Sequence, residues 1–135
     1  MAVIGIGLDL VERARIERAL NRFGKAFLAR ILSPEEQRLV PQGGARKIDF
    51  VAARFAAKEA ASKALGTGFA NGISPRDFEI LSLPSGAPRL RLCGAALEHA
   101  RRLDVASCHL TLTHSTTHAA AVVILEAVSP TSSRD

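Results

Sequence analysis

The order of helical and strand-like segments predicts an α+β domain in which helices pack on an antiparallel sheet. The segments lack the regular alternation of strand and helix that a parallel sheet requires. Two pairs of strand-like segments are each joined by a short turn, as in antiparallel hairpins. With 135 residues, of which 47% are hydrophobic, the chain can build one core. We expect one domain over residues 1–128 and a disordered polar tail over residues 129–135.

The first half of the chain is predicted to be one buried strand followed by helices. Residues 2–8 are mostly aliphatic, and two glycines among them mark a place where a backbone or a ligand approaches closely. A helix follows from Glu12 to the break at Gly24, because its apolar residues recur at helical spacing. The segment 25–32 is expected to continue as helix.

Two further helices carry clear boundary signals. Ser33 can cap a short helix, Pro34 suits its first position, and Glu36 can complete a capping box. A longer, alanine-rich helix is predicted over residues 49–65, with Gly66 beyond its end. Its small side chains allow it to lie close to a sheet or to another helix.

The second half is predicted to be a hairpin, a helix and a second strand pair. Alternation of apolar and polar residues indicates the strands, and turn-forming residues separate them. An amphipathic pattern indicates the helix between the two pairs. The predicted strands are 77–83 with 88–92 and 108–114 with 119–127, and the helix is 95–103.

Composition narrows the functional classes. The net charge of +5 and the pI near 10.0 favour an anionic partner. The chain has no Trp or Tyr, which argues against a protein that stacks single-stranded nucleic acid. No apolar run is long enough to span a membrane and the start does not resemble a signal peptide, so we expect a soluble cytoplasmic protein. The two cysteines, Cys93 and Cys108, are expected to be reduced, packed thiols.

Two carboxylates occur where the surrounding residues are apolar. Asp9 ends an apolar strand, and a lone buried carboxylate is costly. Glu59 follows Phe55 by four residues and Val51 by eight, so it shares a helical face with them. If Asp9 and Glu59 meet, their repulsion requires a proton or a cation between them. Oxygen ligands favour magnesium, manganese or calcium over zinc.

Three cations accompany Glu59 on the same predicted helix, namely Arg54, Lys58 and Lys63. Beside a metal ion they fit a binding site for a polyphosphate. The alternative is ordinary ion pairing between side chains one turn apart, which contributes only about 0.2–0.5 kcal/mol per pair.

Two other segments also allow two interpretations. Asp9, with Glu12 three residues on, can be a metal ligand, the cap of the first helix, or both. His114 and Ser115 end a predicted strand at a turn rich in hydroxyl groups. Such a turn can bind phosphate oxygens or be only a turn. Spacing alone does not decide either case.

Three segments together resemble one family. They are GIGLDLVE near the start, RFAAKEAASKALGTG in the middle and LTHSTTHAAAVVI near the end. In this order and spacing they resemble the holo-acyl-carrier-protein synthases, the short class of 4′-phosphopantetheinyl transferases. The resemblance covers residues 3–126. The central segment, with Lys58, Glu59 and Lys63 ahead of Gly66, is its most specific part.

The resemblance implies the fold of these transferases and their reaction. Family members transfer the 4′-phosphopantetheine arm of coenzyme A to a serine of apo-acyl carrier protein and release adenosine 3′,5′-bisphosphate, for fatty acid biosynthesis. By residue matching, Asp9 and Glu59 would hold a magnesium ion. Lys63 would stabilise the attacked phosphate or the leaving group. The implied contacts to phosphates of coenzyme A are those of Arg54, Lys63, His114 and Ser115.

The reaction suggests a general base, and the resemblance suggests a docking surface. The serine hydroxyl must lose its proton, and we expect Glu59 to accept it, directly or through a water molecule. Carrier proteins are acidic, and family members dock them through a basic first helix. Here that helix carries Arg15, Arg18 and Arg22 at helical spacing, although a merely solvated face is the alternative. Family members are typically homotrimers with coenzyme A bound at subunit interfaces.

Two other functions would use the same features. A magnesium-dependent hydrolase of nucleotide pyrophosphates would use the same carboxylates and need no carrier protein. A basic module that binds nucleic acid would use the net charge, but the inward placement of Asp9 and Glu59 argues against it. We therefore expect an enzyme whose partners are coenzyme A and acyl carrier protein, and neither nucleic acid nor a membrane.

Overall fold

Helices pack against a three-stranded antiparallel sheet, and a separate two-stranded hairpin lies beside them, so the predicted α+β class is confirmed. The computed structural model describes residues 1–128, and the predicted disordered tail lies outside the described residues. A single 3-10 turn, Pro75–Asp77, precedes the hairpin. The elements are β1 (Ala2–Glu12), α1 (Arg13–Phe23), α2 (Lys25–Ile31), α3 (Pro34–Gln37), α4 (Gly44–Leu65), β2 (Phe78–Ser82), β3 (Pro88–Leu92), α5 (Gly94–Arg102), β4 (Val105–His114) and β5 (His118–Ala127).

The three-stranded sheet has the order β1-β5-β4, and both strand pairs are antiparallel. Side chains alternate between the two faces of a strand, and along the central strand β5 every second residue is buried. The long helix α4 contacts β1 and β5, and its alanines form the other side of the core. The buried residues of β5 are Ala119, Ala121, Val123, Leu125 and Ala127.

Two glycines let α4 lie against the backbone of β1. A Cβ atom at Gly5 would lie 2.0 Å from the carbonyl oxygen of Ala64, and one at Gly7 would lie 1.8 Å from that of Ala60. No side chain fits at such distances. The sequence predicts a close approach of a backbone or a ligand at these glycines, and in the structure it is the backbone of α4 that approaches β1. Asp9 is the next residue on this face of the strand. Its carboxylate is therefore held directly beside α4.

The strand β1 is longer than predicted. It pairs with β5 as far as Glu12, which lies opposite His118. Helix α1 consequently begins at Arg13. Asp9 lies within the strand, and Glu12 occupies the N-cap position without a side-chain cap hydrogen bond. The interpretation of Asp9 as the cap of α1 is therefore wrong, because strand pairing continues three residues beyond it.

Helix α4 begins at Gly44, earlier than the predicted start at Asp49. The intervening segment contains good helix formers, and the helix extends back through them. Its end is as predicted, with Gly66 in the left-handed conformation at φ 80°. None of the helices in residues 1–128 is both long and apolar enough to cross a membrane.

The face of β1 that points away from α4 is apolar and open to solvent. Aliphatic side chains alternate there with the inward-facing glycines and Asp9. Their exposed fractions lie between 55% and 65%, which is unusual for a row of large apolar residues. We call this row the outer β1 face, and it consists of Val3, Ile6, Leu8 and Leu10.

Candidate active site

A partly exposed charged cluster joins β1 to α4. The ammonium nitrogen of Lys63 lies 3.0 Å from Oδ1 of Asp9 and donates to the carbonyl oxygen of Leu8 at 3.1 Å. Glu59 lies one helical turn before Lys63, and the charges of both Asp9 and Lys63 act on its carboxyl group. We call Asp9, Glu59 and Lys63 the β1–α4 cluster. The structure therefore brings together three of the residues that the sequence predicts for the site.

The carboxyl group of Glu59 has a perturbed pKa. Burial raises the pKa of Glu59 above its ordinary value, and the negative charge of Asp9 raises it further. The positive charges of Lys63 and Arg15 lower this pKa, but the net shift is upward. A higher pKa makes the ionised carboxylate a stronger base. The effect of Asp9 also means that the two carboxylates repel each other, as expected from the sequence.

The carboxylate oxygens of Asp9 and Glu59 are the kind of ligand that could hold a magnesium ion. Asp9 and Glu59 supply hard oxygen ligands, and proteins commonly hold magnesium by one or two carboxylates, with water and substrate phosphates completing the shell. Within residues 1–128, no three His, Cys, Asp or Glu side chains are grouped so that they could hold a metal ion. A divalent cation between Asp9 and Glu59 would offset their repulsion, part of which the Lys63 ammonium offsets now.

A second charged cluster lies on the buried side of α4. Glu36 is fully buried, and its Oε1 accepts a hydrogen bond of 2.7 Å from the ammonium of Lys58. Its Oε2 accepts one of 2.9 Å from the backbone N–H of Ile80. The capping box of α3 adds a bond from the backbone N–H of Ser33, which confirms that sequence prediction. We call Glu36, Lys58 and Arg54 the Glu36 cluster.

Arg54 is part of the Glu36 cluster and lies on a different side of α4 from Glu59, about 140° around the helix. Its guanidinium lies over the ring of Phe50, 3.7 Å from the centroid, and donates to the carbonyl oxygen of Ile80. Its Nε lies 3.9 Å from Oε2 of Glu36. The contact of Arg54 with phosphates of coenzyme A stays a prediction, and the burial of Arg54 within the single chain does not support it.

The three cations that the sequence places around Glu59 find their partners far away in the sequence. Lys58 binds Glu36, 22 residues before it, and Lys63 binds Asp9, 54 residues before it. Within residues 1–128, none of the ion pairs of α4 joins residues one turn apart on that helix. In this described part of the chain, the three cations therefore form no salt bridge along the helix, although the charge of Lys63 acts on Glu59 one turn before it.

The turn between β4 and β5 places His114 and Ser115 beside the first part of α4. Both residues line an open cavity of about 510 Å³ together with Asp49. Glu59 lies ten residues further along α4, which corresponds to about 15 Å. The structure therefore does not bring His114 and Ser115 to the β1–α4 cluster within one chain. The hydroxyl oxygen of Ser115 accepts two backbone N–H bonds of the turn, so it also has the turn-forming role.

An apolar cavity of about 440 Å³ lies between α1, α2 and α4 and reaches Glu59. The guanidinium of Arg15 lies over the ring of Phe55, 5.4 Å from its centroid, at the edge of this cavity. The sequence does not predict this cavity, although Phe23 and Phe27, four residues apart, also line it. The arginines predicted as a docking surface are all exposed on α1, and they are Arg15, Arg18 and Arg22.

The family and its solved structures match this architecture. A family model described as the 4′-phosphopantetheinyl transferase superfamily matches residues 5–123. The holo-acyl-carrier-protein synthase of Desulfovibrio desulfuricans is 50% identical over 126 residues, which cover 93% of this chain and 99% of that protein. Curated relatives from several other bacteria carry the same name at similar identity.

Two solved structures extend the match to three dimensions. The holo-acyl-carrier-protein synthase of Neisseria meningitidis superposes with a TM-score of 0.83 at 37% identity and covers 92% of this chain and 98% of its own. The Helicobacter pylori enzyme, solved in complex with coenzyme A, superposes with a TM-score of 0.79 at 36% identity. The match covers 90% of this chain and 99% of that enzyme. These matches confirm the resemblance of the sequence motifs and the enzymatic class that it implies. The chain belongs to the 4′-phosphopantetheinyl transferase superfamily and, within it, to the holo-acyl-carrier-protein synthases.

Proposed function

We propose that the chain transfers the 4′-phosphopantetheine arm of coenzyme A to a serine of apo-acyl carrier protein in a magnesium-dependent reaction. The second product is adenosine 3′,5′-bisphosphate, and the reaction serves fatty acid biosynthesis in the cytoplasm. The observation that carries the proposal is the β1–α4 cluster, in which two carboxylates and an ammonium group converge beside an open cavity. The relative from Helicobacter pylori, solved with coenzyme A, supports the choice of substrate.

Asp9 and Glu59 would hold the magnesium ion. When bound, the ion would neutralise charge on the non-bridging oxygens of the coenzyme A pyrophosphate, which is the main requirement of phosphoryl transfer. Lys63 is held beside Asp9 by two hydrogen bonds, and its half-exposed ammonium can turn towards a phosphate. We assign to Lys63 the stabilisation of the attacked phosphate or of the leaving group.

Glu59 would act as the general base. The serine oxygen of the carrier protein forms a bond to the phosphorus atom next to pantetheine, and the bond from that phosphorus to the bridging oxygen breaks. The bridging oxygen leaves with adenosine 3′,5′-bisphosphate. The serine proton passes to a carboxylate oxygen of Glu59, directly or through a water molecule. The position of Glu59 at the cavity between α1, α2 and α4 supports this role, because a serine can approach the carboxylate there.

The carrier protein would dock on α1. Arg15, Arg18 and Arg22 are exposed there and offer positive charge to an acidic partner. The apolar cavity beside them leads to Glu59, so a serine brought to its mouth approaches the proposed base. Raising the salt concentration should increase the Michaelis constant for carrier protein, because salt screens exposed charges. An unchanged constant would contradict docking on these arginines.

The coenzyme A site would be shared between subunits of a homotrimer. His114 and Ser115 are assigned to phosphates of coenzyme A, yet in one chain they lie beside Asp49, which is about 15 Å along α4 from Glu59. A second copy can supply the missing half of such a site. The outer β1 face offers an apolar surface for this contact, and two of its residues, Leu8 and Leu10, flank Asp9. Sedimentation analysis would test the trimer, and a monomer active at all concentrations would contradict it.

The transfer itself is tested by the mass of the carrier protein. Apo-acyl carrier protein incubated with the chain, coenzyme A and magnesium should gain about 340 Da, the mass of one phosphopantetheine arm. A chelator should abolish the gain, and so should Asp9→Asn. The matched control is Asp104→Asn, which makes the same chemical change at an exposed position and should retain activity.

The outcome separates the transferase from the hydrolase. Coenzyme A that is cleaved by water without any gain in carrier-protein mass would favour a magnesium-dependent pyrophosphate hydrolase. The curated relatives carry the name of the transferase, so they do not favour the hydrolase. No gain in mass with several carrier proteins would contradict the proposed function.

A further inference from the structure

Arg13, the first residue of α1, joins three elements of the fold through its side chain. Its Nε donates to Oδ1 of Asp49 at 2.5 Å. Its Nη1 contacts the carbonyl oxygen of Thr116 and its Nη2 that of Ala45, each at 3.4 Å. The backbone N–H of Arg13 also donates to the carbonyl oxygen of Thr117 at 2.8 Å. Arg13 thereby ties the β4–β5 turn to the first part of α4.

The hydrogen bonds within the β4–β5 turn do not reach α4. The Ser115 hydroxyl oxygen accepts the backbone N–H groups of Thr117 and His118, and the Ser115 N–H donates to the His118 carbonyl. These bonds shape the turn internally but do not set its position relative to α4. Among the side-chain hydrogen bonds of residues 1–128, the bond from Arg13 to Thr116 is the one that joins the turn to a helix.

Charge gives Arg13 a second effect at the same place. The carboxylate of Asp49 lines the cavity that also contains His114 and Ser115, and it is partly exposed. An unpaired carboxylate there would repel a phosphate group. The guanidinium of Arg13 neutralises Asp49 at contact distance. Arg13 thus removes an unfavourable charge from a cavity to which the proposed function assigns phosphate binding.

We propose that Arg13 is a positioning residue for the phosphate site, which it serves by holding the His114–Thr116 turn against α4 and by neutralising Asp49. The proposal rests on the proposed function, because it assumes that this cavity receives a phosphate of coenzyme A. Arg13 acts through His114 and Ser115. Its planar guanidinium suits this role, because its donors reach one carboxylate and two carbonyl groups at once.

The proposal is tested by calorimetric binding of adenosine 3′,5′-bisphosphate to the full chain. Arg13→Gln should raise the dissociation constant about tenfold, since small displacements of binding groups are costly. Asp49→Asn should raise it less, because that variant loosens the turn without exposing a carboxylate. The double variant should lie between the two single variants, because the repulsive charge is absent but the contacts of Arg13 with Thr116 and Ala45 are lost. Such non-additivity is expected of two residues that act on each other.

Kinetics and a matched control separate positioning from general stability. Arg13→Gln should raise the Michaelis constant for coenzyme A and leave that for carrier protein unchanged. Arg38→Gln removes an exposed arginine from another surface ion pair, with Glu35, and should change neither constant. If Arg13→Gln does not fold, Arg13→Lys provides the test. The lysine keeps a positive charge beside Asp49 but cannot bridge both carbonyl groups. The dissociation constant of Arg13→Lys for the bisphosphate should therefore lie between those of the unaltered chain and Arg13→Gln.

Two results would overturn the inference in distinguishable ways. If Arg13→Gln binds the bisphosphate as tightly as the unaltered chain, Arg13 has no positioning role, even if its melting temperature falls. In that case the proposed function stands. If the unaltered chain neither binds the bisphosphate nor modifies a carrier protein, the proposed function fails and this inference fails with it.

Discussion

Helix α4 carries two charged clusters with similar residue types and opposite characters. In the Glu36 cluster, the carboxylate and the Lys58 ammonium are almost completely buried, and both carboxylate oxygens of Glu36 accept hydrogen bonds. In the β1–α4 cluster, the side chain of Lys63 is 53% exposed, and the charges of Asp9, Lys63 and Arg15 all act on Glu59. Lys58 and Glu59 are adjacent in the sequence but belong to different clusters.

The difference shows what each arrangement can do. A buried, fully bonded ion pair leaves no group free for a ligand, and removing one partner is costly because a charge remains buried. An open cluster with two carboxylates and one ammonium group can accept a cation, and its members can exchange partners during a reaction. Burial and bonding therefore separate structural charges from the proposed functional charges along one helix, whereas residue type does not.

The sharpest test of the open cluster is the substitution Glu59→Gln. Loss of the general base should lower kcat by about 10²–10⁴-fold, because proton transfer to a positioned side chain contributes that much. The melting temperature should change little, since Glu59 is not in an ion pair within 4 Å among residues 1–128. Activity assays at saturating magnesium, with the exposed Glu35→Gln as control, would measure this effect. Near-normal turnover would rule out Glu59 as the base.

The corresponding test of the buried cluster is Lys58→Met. The variant leaves the fully buried Glu36 without its closest cation, and breaking a buried pair typically costs about 3–5 kcal/mol. The free energy of unfolding from denaturant titration would measure the loss. A loss below about 1 kcal/mol would contradict the structural role, since that is the range of exposed pairs. If Lys58→Met does not fold, the milder Lys58→Arg supplies the measurement.

Lys63→Met should lower turnover more than stability, whereas Lys58→Met is expected to lower stability. Because the Lys63 side chain is half exposed, losing its ion pair with Asp9 should cost less than about 1 kcal/mol of stability. Turnover should nevertheless fall by about 10²-fold, the usual effect of removing one group that stabilises charge in the transition state. Parallel assays of stability and kcat on both lysine variants would show the contrast. Equal losses of stability would remove the distinction between the clusters.

The smallest expected effect concerns acid stability beside the Glu36 cluster. Burial alone would raise the pKa of Glu79, but hydrogen bonds from Ser33 and Arg91 bring this pKa below its ordinary value of 4.5. A carboxyl group with a lowered pKa stabilises the fold above its unfolded pKa, and this contribution disappears as the pH falls through the folded pKa. Glu79→Gln should therefore flatten the loss of stability below about pH 4.5.

Thermal melting across this pH range would measure the effect. Glu98→Gln, at an exposed position of α5, is the matched control and should leave the curve unchanged. The same slope for Glu79→Gln and for the unaltered chain would show that Glu79 does not contribute to acid unfolding.

Local signals in the sequence predicted most of the secondary structure. The capping box of Ser33 and Glu36, the end of α4 at Gly66 and both hairpins were found where spacing and residue type indicated them. The errors were at boundaries, because strand pairing carried β1 through Asp9 to Glu12. Local propensity cannot show how far a distant partner strand extends a strand.

The sequence by itself determined the family and the α+β class, and through the resemblance to the family it predicted Asp9, Glu59 and Lys63 as site residues. Motif order and spacing carried the resemblance, and Gly5 and Gly7 marked a place on the first strand where a backbone or a ligand approaches closely. These signals are local.

Only the tertiary structure decided which charges are buried. It paired Lys58 with Glu36, enclosed Arg54 and left the outer β1 face exposed. It also separated the His114 turn from Glu59 within one chain. The physical reason is that each of these outcomes depends on which face of a helix or strand meets a distant segment. Residue spacing within α4 or β1 does not contain that information.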